Sequence, residues 1–146
     1  MLMFSIHHFT LSVRNIDKMM RFYATFGFRS ALRWSAPDGT LNIIHLTNED
    51  GFIVEMFEYR MNAERPVLEL DIGNNLSDLG VKHIAFRVAD LESAYAQFQA
   101  MGDVELGKIT EGRTGIRYFF VRDPDGNWVE IVQDDRIMAG TGTQKN

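Results

Sequence analysis

The sequence predicts an α+β fold built from two tandem βαβββ modules, on three observations. Residues 75 positions apart match along the chain: His8 with His83, Val13 with Val88, Gly27 with Gly102, Asp50-Gly51 with Asp125-Gly126, Val54 with Val129, and Glu55 with Glu130. The offset holds from the first element to the last without an insertion, which marks a duplicated unit. Within each half, a strand-like alternation gives way to helical spacing and then to three short strand patterns separated by turn signals.

Each half opens on a strand, at 8–13 and 83–88. Phe9, Leu11 and Val13 form one apolar face that suits a helix, and Ile84, Phe86 and Val88 repeat it. A helix follows. Asn15 and Asp90 stand where a side-chain oxygen accepts a free first-turn amide. Apolar residues then recur at Ile16, Met19, Met20 and Tyr23, and at Leu91, Ala94, Tyr95 and Phe98. Gly27 and Gly102 sit where a left-handed C-cap belongs. Three strands complete each module. The first half gives 28–35, 41–47 and 52–59, separated by Asp38-Gly39 and Asp50-Gly51, whose glycines accept the positive φ of a tight turn. The second gives 104–109, 116–122 and 127–133, with a loop at 111–115 and the turn Asp123-Pro124-Asp125-Gly126. The modules are therefore expected at 5–60 and 81–135. Residues 61–80 have no counterpart in the repeat and read as a linker with a short strand or helical turn. The polar, Gly-rich stretch 137–146 reads as a mobile tail.

Composition narrows the function. At 146 residues, 45% hydrophobic and 24% charged, the chain can bury a core without staples. Its net charge is −5, with 15 basic residues scattered among 20 acidic ones, so no nucleic-acid partner is expected. There is no cysteine, which removes disulfides, thiolate zinc sites and thiol nucleophiles. The opening MLMFSIHHF lacks the basic and long apolar regions of a signal peptide, and no apolar run reaches a membrane span. A cytoplasmic protein without a membrane partner is the expectation.

Strand alternation then selects four candidate ligands. Opposite the apolar face of each first strand stand His8, Thr10 and Ser12, and His83, Ala85 and Arg87. Glu55 lies between Val54 and Met56, and Glu130 between Val129 and Ile131, so both acids face away from apolar neighbours. A single strand histidine or glutamate is ordinarily a satisfied or solvated residue. Inward carboxylates on an apolar sheet, however, are costly unless paired or bound to a cation. The repeat joins these weak signals: two histidines and two glutamates suit one borderline divalent ion, Ni, Co, Zn, Mn or Fe. His7 competes with His8 by a one-residue register slip; His8 is preferred because its offset partner is His83. His45 is read as a non-ligand because its offset partner is Phe120.

The sequence resembles the vicinal-oxygen-chelate superfamily, which includes glyoxalase I, methylmalonyl-CoA epimerase, extradiol dioxygenases and fosfomycin-resistance proteins. The resemblance covers about residues 5–133 and rests on His8-x-x-Leu11-x-Val13, Phe22-Tyr23-x-x-x-Gly27-Phe28, Val54-Glu55-Met56-Phe57, His83-Ile84-Ala85-Phe86-x-Val88 and Asp123-Pro124-Asp125-Gly126-Asn127-x-x-Glu130. It implies mixed sheets that curl into a half-barrel around one metal, with ligands at His8, Glu55, His83 and Glu130. A two-His, two-Glu set is similar to that of bacterial glyoxalase I. The chain departs from those enzymes at Ser12, where an Arg is typical, and at Phe57-Glu58-Tyr59, where an Asn is expected.

The resemblance implies an isomerase or lyase acting on a small substrate with two vicinal oxygens. The metal would serve as Lewis acid for an enediolate formed when a C–H proton is removed. Glu130 is the first choice for the base and Glu55 the second. Arg87 is placed to hold an anionic substrate group or to pair with an interior acid, while Arg113 and Arg117 read as solvated charges near the hairpin loop. Phe57, Trp128 and Tyr59 are candidate pocket linings, a role that core packing explains equally well for Phe57 and Trp128. The alternatives are a metal-dependent transferase of the fosfomycin-resistance type and a non-catalytic small-molecule binder. The resemblance also favours a homodimer. Pairing of the two modules within a chain and pairing across a dimer both satisfy the repeat.

Overall fold

The computed structural model describes residues 4–64 and 76–136. The chain divides into two compact units, residues 1–67 and 68–146. Residues 61–64 and 76–80 form neither strand nor helix. The rest of the expected linker and the tail from 137 lie outside the described residues.

The first unit runs β1 (His8–Ser12), α1 (Ile16–Ala24), β2 (Arg29–Ser35), β3 (Leu41–Thr47) and β4 (Ile53–Tyr59). Its sheet has the order β1-β4-β3-β2. The opening strand thus lies beside the last one, and this pair is parallel; the other pairs are antiparallel. The second unit repeats the plan with β5 (His83–Arg87), α2 (Leu91–Met101), β6 (Thr110–Glu111), β7 (Arg117–Arg122) and β8 (Trp128–Gln133). Its order is β5-β8-β7-β6, again with only the first pair parallel. Each sheet is mixed and open, since its two outer strands do not pair with each other.

The helices start and stop for the reasons their sequences supply. The Asn15 side chain accepts from the Lys18 amide, and Asp90 accepts from the Ser93 amide. Gly102 ends α2 in the left-handed region at φ 75°. After α1, Gly27 takes φ 81°; its amide bonds to the Ala24 carbonyl and that of Phe28 to the Tyr23 carbonyl. Those two bonds form a Schellman turn, so Gly27 is the left-handed residue that closes the helix.

Alternation sorts each sheet into two faces. In the first unit Leu11, Ile44, Leu46, Val54 and Met56 are buried, as are Ile16, Met19, Phe22 and Tyr23 of the helix. Phe119, Val121, Val129 and Ile131 do the same in the second unit, with Leu91 and Phe98 of its helix. Each such side chain contributes about 1.5–3 kcal/mol by leaving water. One core per unit fixes which way the strands face, and so leaves the opposite face for chemistry.

One expected strand is corrected. Residues 104–109 do not form a regular strand; they touch β7 through the isolated bridge Leu106–Val121, and the ladder is Thr110–Glu111 against Arg117–Tyr118. Gly107 explains the break. Its amide bonds to the Phe120 carbonyl at 2.8 Å, and a Cβ there would lie 3.3 Å from that oxygen. Such close backbone approach at a glycine marks an irregular edge. The loop expected at 111–115 is accordingly a hairpin turn closed by the Gly112 amide on the Ile116 carbonyl.

Candidate metal centre

In the first unit, strand register brings His8, Thr10, His45 and Glu55 onto the sheet face opposite the helix. Thr10 pairs with Glu55 across β1 and β4, and His45 pairs with Glu55 across β3 and β4. The Glu55 carboxylate is held at both oxygens. Thr10 Oγ1 donates to Oε1 at 3.0 Å, and His45 Nε2 lies 2.8 Å from Oε2. An ionised carboxylate only accepts, so the hydrogen of that bond sits on His45 Nε2. His8 Nε2 stands 3.9 Å from Oε1. Its other ring nitrogen, Nδ1, is 2.8 Å from Nδ1 of His7, so Nε2 is the nitrogen turned toward Glu55. Burial raises the Glu55 pKa, but the hydrogen bonds from His45 and Thr10 and the nearby imidazoles hold it, on balance, below the ordinary glutamate value.

The second unit repeats the pair with different neighbours. His83 Nε2 lies 3.0 Å from Glu130 Oε2, and Glu130 is buried, 9% exposed. The residues paired with Glu130 are Ala85 and Phe120, where the first unit has Thr10 and His45. Neither supplies a side-chain donor. The Phe120 ring instead stands edge-on to His83 at 5.1 Å and to Trp128 at 5.6 Å.

The donors fit a divalent cation. His83 Nδ1 is buried and has no hydrogen-bond partner. If the ring hydrogen is on Nδ1 alone and Glu130 is ionised, Nε2 and Oε2 present lone pairs to each other across 3.0 Å, an arrangement relieved by a shared proton or by a bound cation. If it is on Nε2, it bonds to Glu130 and leaves Nδ1 a buried acceptor with nothing to accept. Among the described residues no three His, Asp or Glu side chains gather into a ready cage. In the first unit the two imidazoles address different oxygens of Glu55, so they do not converge on one point. Each unit therefore offers one His and Glu pair.

The other candidates take up varied places. Phe57 is half-buried on the Glu55 face and stacks on Tyr59, with ring centres 6.4 Å apart at 20°. Tyr59 itself is 46% exposed at the strand end. Trp128 shares the Glu130 face, its ring covered by the Arg122 guanidinium at 3.7 Å. Arg87 is exposed and its charge helps to lower the pKa of Asp134, after the larger effects of Arg136. Arg117 is ion-paired with Glu92. His45 is the residue that the repeat set aside and the geometry brings in. A hairpin folded about Asp50 puts residues 45 and 55 equally far from the turn, and that was the signal available for it.

Comparison with known proteins agrees with this architecture. The model of the Glyoxalase/Bleomycin resistance protein/Dioxygenase superfamily matches residues 5–131. The chain is 30% identical over 145 residues to a probable lactoylglutathione lyase of Vibrio parahaemolyticus, covering 92% of this chain and 94% of that one. It is 23% identical over 144 residues to the lactoylglutathione lyase of Schizosaccharomyces pombe, covering 88% of this chain. There it spans about half of the relative's length, 47%. In fold it is similar to the glyoxalase family protein from Enterococcus faecalis, with a TM-score of 0.72 at 23% identity, over 88% of this chain and 96% of that one. The duplicated module, the faces on which its His and Glu pairs stand and the match over nearly all of the described chain make this protein a member of the Glyoxalase/Bleomycin resistance protein/Dioxygenase superfamily.

Proposed function

We propose that the chain is a metal-dependent isomerase or lyase of the glyoxalase type, acting on a small substrate with two vicinal oxygens. His8, Glu55, His83 and Glu130 are its metal ligands in this reading. One observation carries it: the same His and Glu pair recurs in both units on the face opposite the helix, with an imidazole Nε2 turned toward a carboxylate. A bound divalent ion, Ni, Co, Zn, Mn or Fe, supplies Lewis-acid stabilisation to oxygen charge that builds up during reaction.

The protein's own residues do the rest. Glu130 takes a proton from carbon and returns it to the neighbouring carbon. It suits that task better than Glu55, whose two oxygens are already engaged by Thr10 and His45. Phe57 and Trp128 supply apolar wall on the two ligand faces, Tyr59 extends that wall at its strand end, and Arg87 offers a cation to an anionic substrate group. The homodimer that the family resemblance favours belongs to the same reading.

Turnover of α-hydroxythiol adducts and small oxo-acids, assayed after loading with each metal, tests the proposal. Metal-dependent isomerisation that Glu130→Gln abolishes supports it. Tight binding of such compounds without turnover, in protein shown to hold metal, would make the chain a binding protein and overturn it.

A further inference from the structure

We infer that His45 is a positioning residue that, together with Thr10, holds the Glu55 carboxylate in one orientation for the metal, and that the described residues of the second unit hold no equivalent device. This rests on the metal-centre reading above. The repeat provides an internal comparison. The ligand pairs match at the 75-residue offset, but the residues beside the two carboxylates do not: Thr10 and His45 in one unit, Ala85 and Phe120 in the other. Packing does not require a histidine at this register position, because Phe120 fills it in the second unit and reaches His83 and Trp128 instead. What His45 supplies that Phe120 cannot is a hydrogen-bond donor, and it is spent on Glu55 Oε2 at 2.8 Å. Thr10 Oγ1 spends its hydrogen on the other oxygen at 3.0 Å.

A glutamate side chain has three rotatable bonds, and ordering it for an ion costs entropy. Two donors at fixed backbone positions meet that cost before the ion arrives. Partners of this kind orient metal ligands, and their loss typically lowers affinity about 10–100-fold. The two carboxylates are thereby made unlike: Glu55 is restrained, and Glu130 is not restrained in this way.

The test is cobalt binding by the full chain, read as a dissociation constant and as the visible absorption of the bound ion. His45→Phe, which copies the second unit, is expected to weaken binding about 10-fold or more and to shift the cobalt bands. His45→Gln, whose amide can still donate, is expected to recover most of the loss. Thr10→Val keeps the shape without the donor and carries the test if His45→Phe does not fold; it is expected to weaken binding as well. Equal affinity and an unchanged spectrum in His45→Phe and Thr10→Val would overturn the inference while leaving the metal centre standing. No cobalt bound by the unmodified chain would overturn the metal-centre reading and this inference with it.

Discussion

The Glu58 carboxylate accepts the backbone amide of Ile16 at 2.7 Å, and Gln133 accepts that of Leu91 at 3.2 Å. Both acceptors sit on the last strand of their unit, and both donors are the first residues of the helix. With the caps Asn15 and Asp90, these bonds satisfy two of the amides that a helix start leaves orphaned. They also tie each helix to the strand that carries Glu55 or Glu130.

Glu58→Ala is therefore expected to cost about 1–3 kcal/mol by leaving a half-buried amide without its acceptor. Glu58→Gln, which makes the first unit copy the second, should cost clearly less. Equilibrium denaturation of the two variants checks the order.

Gly27 makes a second stability prediction. Its φ of 81° lies in the left-handed region, and a Cβ there would meet nothing within 4 Å. The cost of Gly27→Ala is thus conformational alone, about 1–2 kcal/mol. Gly27→Asn should cost less, because asparagine tolerates that region better. Thermal melts of the two variants test this.

Asp123 gives a pH dependence. It is 4% exposed and accepts from the amides of Asp125 and Asn127 and from the Asn127 side chain. Burial pushes its pKa above the ordinary aspartate value of 3.8, against the hydrogen bonds that lower it. The folded state then holds the proton more tightly than the unfolded chain does, so this group's contribution to stability falls as pH rises from about 3.8 through the raised value. Asp123→Asn cannot titrate. The stability of the variant relative to the unmodified protein is expected to improve across that window and to level off above it. Urea denaturation at a series of pH values reads the difference.

Much of the fold was legible because the repeat is carried by residues that packing and turns demand. Val13 and Val88, Gly27 and Gly102, and Asn15 and Asp90 each do the same work twice. The break in the strand expected at 104–109 was not legible, because Gly107 permits a backbone approach that no side-chain pattern announces. The site was legible in part. His8, Glu55, His83 and Glu130 stand on the faces that alternation gave them, each paired within its own unit. His45 was passed over because an offset comparison finds only what both halves share, and here the halves differ. Glu58 and Gln133 escaped for a related reason, since one is charged and the other is not.

Glu130→Gln tests the chemistry. If Glu130 is the base, its loss should reduce kcat about 10²–10⁴-fold on any substrate found. Substrate affinity, read by KM at saturating metal, should change much less. An equal loss in both variants, Glu55→Gln and Glu130→Gln, would remove the distinction drawn between the two carboxylates.

The proposed chemistry depends on a bound metal. Elemental analysis of the chain after incubation with Ni, Co, Zn and Mn, beside a Glu55→Gln/Glu130→Gln double variant, measures it directly. About one divalent ion per chain is expected, lost in the double variant. No ion in the unmodified protein, or the same ion content in the double variant, would contradict it.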